Sequence, residues 1–324
     1  MKPNDCEVST FENLWARANQ GNFSSLVWEE YQGIVNTQQS GTWKAFVKPK
    51  NRDKNRSSFV PCWDHTRVIS LSYDFGISNY IHANYVDGFK DKRKFICTQA
   101  PTMNTVKSFW RMLWNENSRI IVMLMNLTFD NEEQCFPYWH REENGVINIG
   151  DYTIMTKTQR TGSHIITTDL LLVNKFSGES REIRHLSYTD WTNEGIPGNP
   201  SQFYEFVRRV NEVRSAVIRR LKIHHRQLGP IVVHCTTGIG RTGIFCTTDI
   251  ALFQMINTLR VSLPAVVRSI RQQRHSSVII PEQYFFCYRV VLHFISILKK
   301  KTKMRRNKLQ LPNSNEIDMM QLTD

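Results

Sequence analysis

The chain has 324 residues, of which 40% are hydrophobic and 22% charged, with 18 Phe, 10 Tyr and 8 Trp. That composition fills at least one sizeable core and excludes a disordered, collagen-like or disulfide-stapled chain. With 42 Lys and Arg against 29 Asp and Glu, the formal charge is +13, which leaves three readings open: nucleic-acid binding, attraction of phosphate esters, or a merely solvated basic surface.

In chain order, the first residues, MKPNDCEVST, lack the apolar core of a secretory signal, which predicts a reducing, cytoplasmic setting. Residues 1–22 read as a helical lead-in. Val106, Phe109, Trp110 and Leu113 recur at helical spacing, and Ile120–Leu124 is a wholly apolar run suited to a buried strand. Strand-like stretches follow at Ser163–Val173 and Ser180–Ser187. Phe203, Phe206, Val207, Val210 and Val217 mark a helix whose other face carries Arg208, Arg209 and Arg214. Ser262 is placed as an N-cap and Pro264 as an early position of a helix through Arg274, and Pro281 opens the last helix. Arg289 and His293 break the apolar stretch Phe285–Leu298, so it does not read as a membrane span. The basic run Lys299–Lys308 and the polar stretch after it read as a flexible tail over 299–324, in weak contact with acidic surfaces at most. The expectation is an α/β (α+β) fold: one domain over 23–298, with a twisted mixed sheet flanked by helices. Seven Cys with no CxxC indicate neither a disulfide framework nor a zinc site.

One segment carries chemistry. Ile231–Val233 reads as a buried strand running through His234 into Cys235; Thr236, Thr237, Gly238, Ile239 and Gly240 form a small-residue loop, and a helix begins near Arg241. Such a loop can wrap a tetrahedral anion with backbone N–H groups, and the helix N-terminus adds positive potential that favours both the anion and a Cys235 thiolate. Arg241 offers a planar fork to phosphate oxygens. A thiolate on the floor of a phosphate cradle is a nucleophile aimed at phosphorus. Cys246, further along the helix without a cradle, reads as core.

His234-Cys235-Thr236-Thr237-Gly238-Ile239-Gly240-Arg241-Thr242-Gly243 resembles the Cys-x5-Arg signature of the protein-tyrosine phosphatases. The resemblance extends from about Phe23 to Phe294. It includes Asn79–Gly88, Thr98–Pro101, Phe109–Trp114 and Cys135–Trp139, which in that order are specific to the tyrosine-specific, non-receptor class. In overall style the chain is most similar to the phosphatases of parasitoid-wasp bracoviruses. The resemblance implies hydrolysis of phosphotyrosyl proteins through a cysteinyl-phosphate and, for a viral protein, action on signalling in the host cytoplasm. It implies that Cys235 attacks phosphorus, Arg241 and the amides of Thr236–Arg241 hold the oxygens, His234 orients the loop and helps keep the thiolate, and Thr242 donates to the sulfur. Gln283 matches a substrate-side glutamine. No metal or organic cofactor is implied, and no stable nucleic-acid partner.

Four positions depart from the family pattern. Asn193, in Trp191-Thr192-Asn193-Glu194-Gly195-Ile196-Pro197, stands where the family has its proton-donating Asp; Glu194 could act only after a loop shift. Ser57 replaces the Tyr that stacks on the phosphotyrosine ring, and Phe59 replaces a backbone-gripping Asp while offering to refill part of that wall. Gln134 replaces a Lys, and Ile279 replaces the Gln that positions the attacking water. Two readings stand side by side: an attenuated phosphatase, and a pseudophosphatase that binds and traps phosphotyrosine proteins. A phosphoinositide or RNA 5′-end phosphatase ranks below both, because the flanking segments belong to the tyrosine-specific class.

Overall fold

The computed structural model describes residues 8–71, 78–126, 128–129, 132–133, 135–191, 196–223, 225 and 227–308, with backbone alone over 128–129, 132–133 and 302–308. The chain begins with β1 (Ser9–Thr10), α1 (Phe11–Ala18) and α2 (Phe23–Val35), then β2 (Arg67–Ile69), β3 (Tyr80–Gly88), β4 (Asp91–Gln99) and α3 (Val106–Asn115). Next come β5 (Ile120–Met123), the short strands β6 (Thr128–Phe129) and β7 (Glu132–Glu133), β8 (Val146–Ile149), β9 (Tyr152–Thr161), β10 (Ile165–Asn174) and β11 (Ser180–Tyr188). The last part holds α4 (Pro200–Ile223), β12 (Ile231–Cys235), α5 (Gly240–Thr258), β13 (Arg260–Val261), α6 (Leu263–Gln273) and α7 (Pro281–Lys308).

Nine strands form one sheet in the order β2-β3-β4-β12-β5-β11-β10-β9-β8. Its centre is parallel: β12 lies between β4 and β5, and β5 pairs with β11. The flanks are antiparallel, so the sheet is mixed as expected. Central strands buried on both faces need apolar residues at every position, which Ile120–Met123 and Ile231–Val233 supply. Side chains alternate between two cores. Ile231, Val233 and Cys235 join Ile120 and Val122 on the face covered by α4, α5 and α7, while Val232, Ile121 and Met123 join Phe109, Trp110 and Leu113 of α3 on the other. Helix α5 is buried around most of its circumference, as a helix inside a core must be.

The predicted caps are present: Ser262 Oγ accepts from Ala265 N–H at 3.3 Å, with Pro264 in the first turn of α6. Two boundaries differ from the sequence reading. The lead-in is knitted into the domain, since β1 pairs with β13 (Ser9 with Val261) and α1 lies against α7. The tail does not start at Lys299. Helix α7 continues to Lys308, because Lys and Arg are good helix formers and cations suit a helix C-terminus. Lys299 Nζ sits 4.6 Å from the Trp15 ring centroid, tying this extension to α1. Residues 309–324, the rest of the expected tail, lie outside the described residues. No helix among the described residues is long and apolar enough to cross a membrane.

Candidate active site

Cys235 ends β12, in register with Gln99 at the end of β4, while His234 pairs with Met123 at the end of β5. The loop that follows therefore sits over the carboxyl ends of the parallel strands, where open α/β sheets leave a crevice for ligands. Cys235 is buried, and its Sγ accepts from Gly238 N–H and Thr242 Oγ1–H, each at 3.3 Å. A backbone amide and a hydroxyl thus both donate to one sulfur and fix its position at the floor of the loop.

The loop shape depends on Gly238. Its φ is +73°, and a Cβ would lie 2.2 Å from Thr98 O and 2.8 Å from Gln99 N, both backbone atoms of the strand end beside it. Neither neighbour can yield without moving β4. Gly238→Ala is expected to lower stability by about 2–4 kcal/mol and to pull the amide off Cys235. A denaturant titration checks this; an unchanged midpoint would mean the turn has room.

Arg274, which received no role in the sequence reading, organises this turn. Fully buried, it donates from Nε to Gly238 O (3.1 Å) and from Nη2 to Thr237 O (3.0 Å), and its Nη1 reaches Asn84 Oδ1 at 2.8 Å. Turning these carbonyls toward a guanidinium leaves the opposite side of the loop for N–H groups. Arg274 Nη2 also meets His82 Nδ1 at 3.0 Å, so His82 accepts there and donates from Nε2 to Val60 O at 2.8 Å.

His234 points to the α3 side, 2.8 Å from the Tyr138 hydroxyl, which lies 2.7 Å from His185 Nε2. Tyr138 has one hydroxyl proton, so it donates to one imidazole and accepts from the other, fixing opposite tautomers on the two rings. Burial, helped by Arg56, pushes His234 down to about 3. The ring is thus neutral at ordinary pH, and any influence on the thiol comes from position and hydrogen bonding, not from charge. Burial also lowers His185 and His82 to about 3, assisted by His234 and Arg274 respectively. These shifts set a pH dependence. Between about pH 6.5 and 3 the unfolded chain binds more protons than the folded one, so stability present above pH 6.5 is lost as pH falls. Each histidine contributes up to about 1.4 kcal/mol per pH unit. The melting temperature is therefore expected to drop steeply from pH 7 to about pH 5; a flat profile would contradict neutral buried rings.

Arg241 lies beside the loop, its guanidinium 5.2 Å from the Trp191 ring centroid and its Nη1 3.4 Å from Leu124 O. Burial lowers it from its ordinary value, with Cys235 opposing, but a guanidinium stays charged. Trp191 forms an isolated bridge with Pro197, so the ends of the segment carrying Asn193 are pinned together beside Arg241. Asn193, Glu194 and Gln134 themselves lie outside the described residues.

The opposite rim is stitched by Arg56, which donates from Nε to Ala100 O (2.6 Å) and from Nη2 to Pro101 O (2.8 Å), while its own N–H meets Gln99 Oε1 at 3.0 Å. This places Ser57 next to the loop end, where its Oγ accepts from Phe59 N–H at 3.1 Å. Phe59 does not refill the missing aromatic wall: it is 90% exposed and packs on almost nothing. Its neighbours Ser57 and Ser58 give it no apolar surface to settle against.

Ile279 is held over the loop. Ser276 (φ +56°) and Val278 (φ +59°) take left-handed backbone between α6 and α7. Arg271 Nη1 donates to Ser277 O and Val278 O, and the Tyr31 hydroxyl donates to the carbonyls of Val278 and Ile279. The Ile279 N–H donates to Gln283 Oε1 at 2.8 Å. A Cβ on Gly240 would meet Gln283 Nε2 at 2.9 Å and Ile279 Cδ1 at 3.2 Å, so both side chains abut the cradle. Gln283 keeps an N–H donor there; Ile279 presents only carbon.

A family profile described as "Protein-tyrosine phosphatase" matches residues 51–293. The chain belongs to this family. It is 40% identical to "Tyrosine phosphatase H3" of Microplitis demolitor bracovirus over 91% of this chain and 97% of that relative. "Probable tyrosine phosphatase protein N1" of the same virus is also 40% identical, covering 91% of this chain and 93% of its own. Human "Tyrosine-protein phosphatase non-receptor type 9" is 33% identical over 86% of this chain and 47% of its own length. The resemblance drawn from the sequence over about Phe23 to Phe294 thus agrees with the span of the family match. Within the phosphatase family frame, Arg274, Tyr138, His185 and Tyr31 are the supporting residues that sequence reasoning missed. Tyr138 stood inside a quoted motif and Arg274 at the end of an expected helix, but nothing in one sequence indicated what they touch.

Proposed function

We propose that this protein hydrolyses phosphotyrosyl proteins slowly, through a cysteinyl-phosphate that outlives its formation. The observation that carries this reading is Cys235 Sγ, 3.3 Å from both the Gly238 amide and the Thr242 hydroxyl, with Arg241 beside it. Cys235 attacks phosphorus, a sulfur–phosphorus bond forms and the bond to the tyrosyl oxygen breaks. With Asn193 in place of the family's acid, the departing phenolate takes its proton from water. Water then attacks the phosphorus, the sulfur–phosphorus bond breaks, and Thr242 donates to the regained thiolate while phosphate leaves. Ile279, abutting Gly240 with carbon alone, cannot orient that water. Arg241 and the amides of Thr236–Arg241 hold the three oxygens through both steps. Gln283 and Ser57 face the substrate, in a pocket short of one aromatic wall.

The substrates are phosphotyrosine proteins of the cytoplasm, the host cytoplasm if the chain is viral like its bracovirus relatives. A second reading, capture of phosphoproteins without turnover, draws on the same Ile279 placement. Rapid mixing with a phosphate-labelled peptide separates the two. The expected result is labelled protein appearing first and free phosphate slowly afterwards. Tight binding with neither label transfer nor release would sink the hydrolytic reading in favour of capture.

A further inference from the structure

A cleft of about 940 Å³ lies away from Cys235, between α4 and the outer part of the sheet. Its floor is one face of β10, where Thr167, Asp169 and Leu171 alternate toward α4. The register sets Arg160 across from Thr167, Arg184 across from Asp169 and Glu182 across from Leu171. The wall is α4, where Arg209, Val213, Ala216, Val217 and Arg220 share one helical face. Six arginines and three carboxylates line the cleft. The carboxylates are already engaged: Asp169 by Arg184 and Arg160, Glu182 by Arg220, and Glu212 by Arg209. The cleft thus holds more arginines than carboxylates, beside an apolar strip of Leu171, Val213 and Val217. The strip's start, near Arg119 and Ser180, is at the end of the parallel strands opposite Cys235, so a ligand here need not touch the phosphate cradle.

We propose that this cleft docks an acidic, partly apolar polypeptide segment of a partner protein. A peptide is favoured over nucleic acid because Leu171, Val213 and Val217 offer surface to apolar side chains but no aromatic face to stacked bases. An acidic segment can instead exchange carboxylate for carboxylate along the arginines, with its apolar residues seated between them. The role is recruitment, independent of turnover at Cys235.

The test is fluorescence anisotropy of the full chain with a labelled peptide of repeated Glu-Leu-Glu-Ala. Binding is expected to weaken with salt, and to weaken about tenfold in the Arg160→Glu, Arg219→Glu double variant. Both side chains are exposed, so the fold should persist, and a melting curve matching the parent verifies it. Binding of a phosphotyrosyl peptide should be unchanged in that variant, and added phosphotyrosine should not displace the acidic peptide. The proposal is overturned if the peptide fails to bind or the variant binds it equally well. It is also overturned if phosphotyrosine displaces the peptide, or if a single-stranded RNA of similar length binds more tightly than the peptide and loses affinity in the same variant.

Discussion

Cys235→Ser is expected to lower phosphate release by about 10⁴-fold or more while phosphotyrosyl-peptide binding stays within severalfold of the parent. Serine is close to cysteine in size, so the Gly238 amide and Thr242 hydroxyl that converge on Sγ keep a partner and the loop keeps its shape. What disappears is the ready ionisation that makes sulfur a nucleophile at neutral pH. Release measured with an aryl phosphate, and affinity measured with a phosphotyrosyl peptide, report the two properties separately. Retained release would require another nucleophile. Lost affinity would make the thiol a structural part of the cradle and not its reacting atom.

Restoring the missing groups is expected to act in the other direction. Asn193→Asp supplies a titratable donor between Trp191 and Pro197, which are paired beside Arg241. General acid catalysis is worth about 10²–10⁴ in rate, so a gain of about 10² is expected even with imperfect placement. Ile279→Gln puts an amide where Ile279 Cδ1 now abuts Gly240, and should add about tenfold, chiefly in release of phosphate from Cys235. Steady-state turnover of the single and double variants checks both. No gain in the double variant would mean that the pocket, open at Ser57 with Phe59 exposed, limits the reaction instead. The acid should also introduce an alkaline decline in the pH–rate profile that the parent lacks.

The effects proposed for Asn193 and Ile279 overlap in the second half of the reaction. The restored carboxyl speeds departure of the tyrosyl oxygen as an acid and then, as a base, attack of water on the phosphocysteine, the step a water-positioning amide also speeds. The double variant should therefore exceed either single variant in steady turnover, since relieving one step exposes the other.

What the sequence determined by itself is the contiguous chemistry. Strand, loop and helix from Ile231 to Thr242 are adjacent in the chain, so spacing alone brings Cys235, the loop amides and Arg241 together. Apolar runs marked Ile120–Leu124 and Ile231–Val233 as buried strands for the same local reason, since a strand buried on both faces has no polar position to spare, while their parallel pairing came from the fold. The substitutions at Ser57, Asn193 and Ile279 were also legible, because they interrupt otherwise matching segments. Only the tertiary structure decided what holds the site. Arg274 reaches Gly238 across 36 residues and His234 meets Tyr138 across 96, separations at which no periodicity carries information. The charge of His234 was likewise hidden, because it depends on burial and on Arg56 from another part of the chain. The helical run of Lys299–Lys308 was missed because a basic segment reads as solvated tail until its neighbour is known, and that neighbour, Trp15 on α1, lies near the other end of the chain. The +13 charge is a similar case: composition left a solvated surface, nucleic acid and phosphate esters all open, and only folding gathers Arg119 with five arginines of α4, β9 and β11 into one cleft.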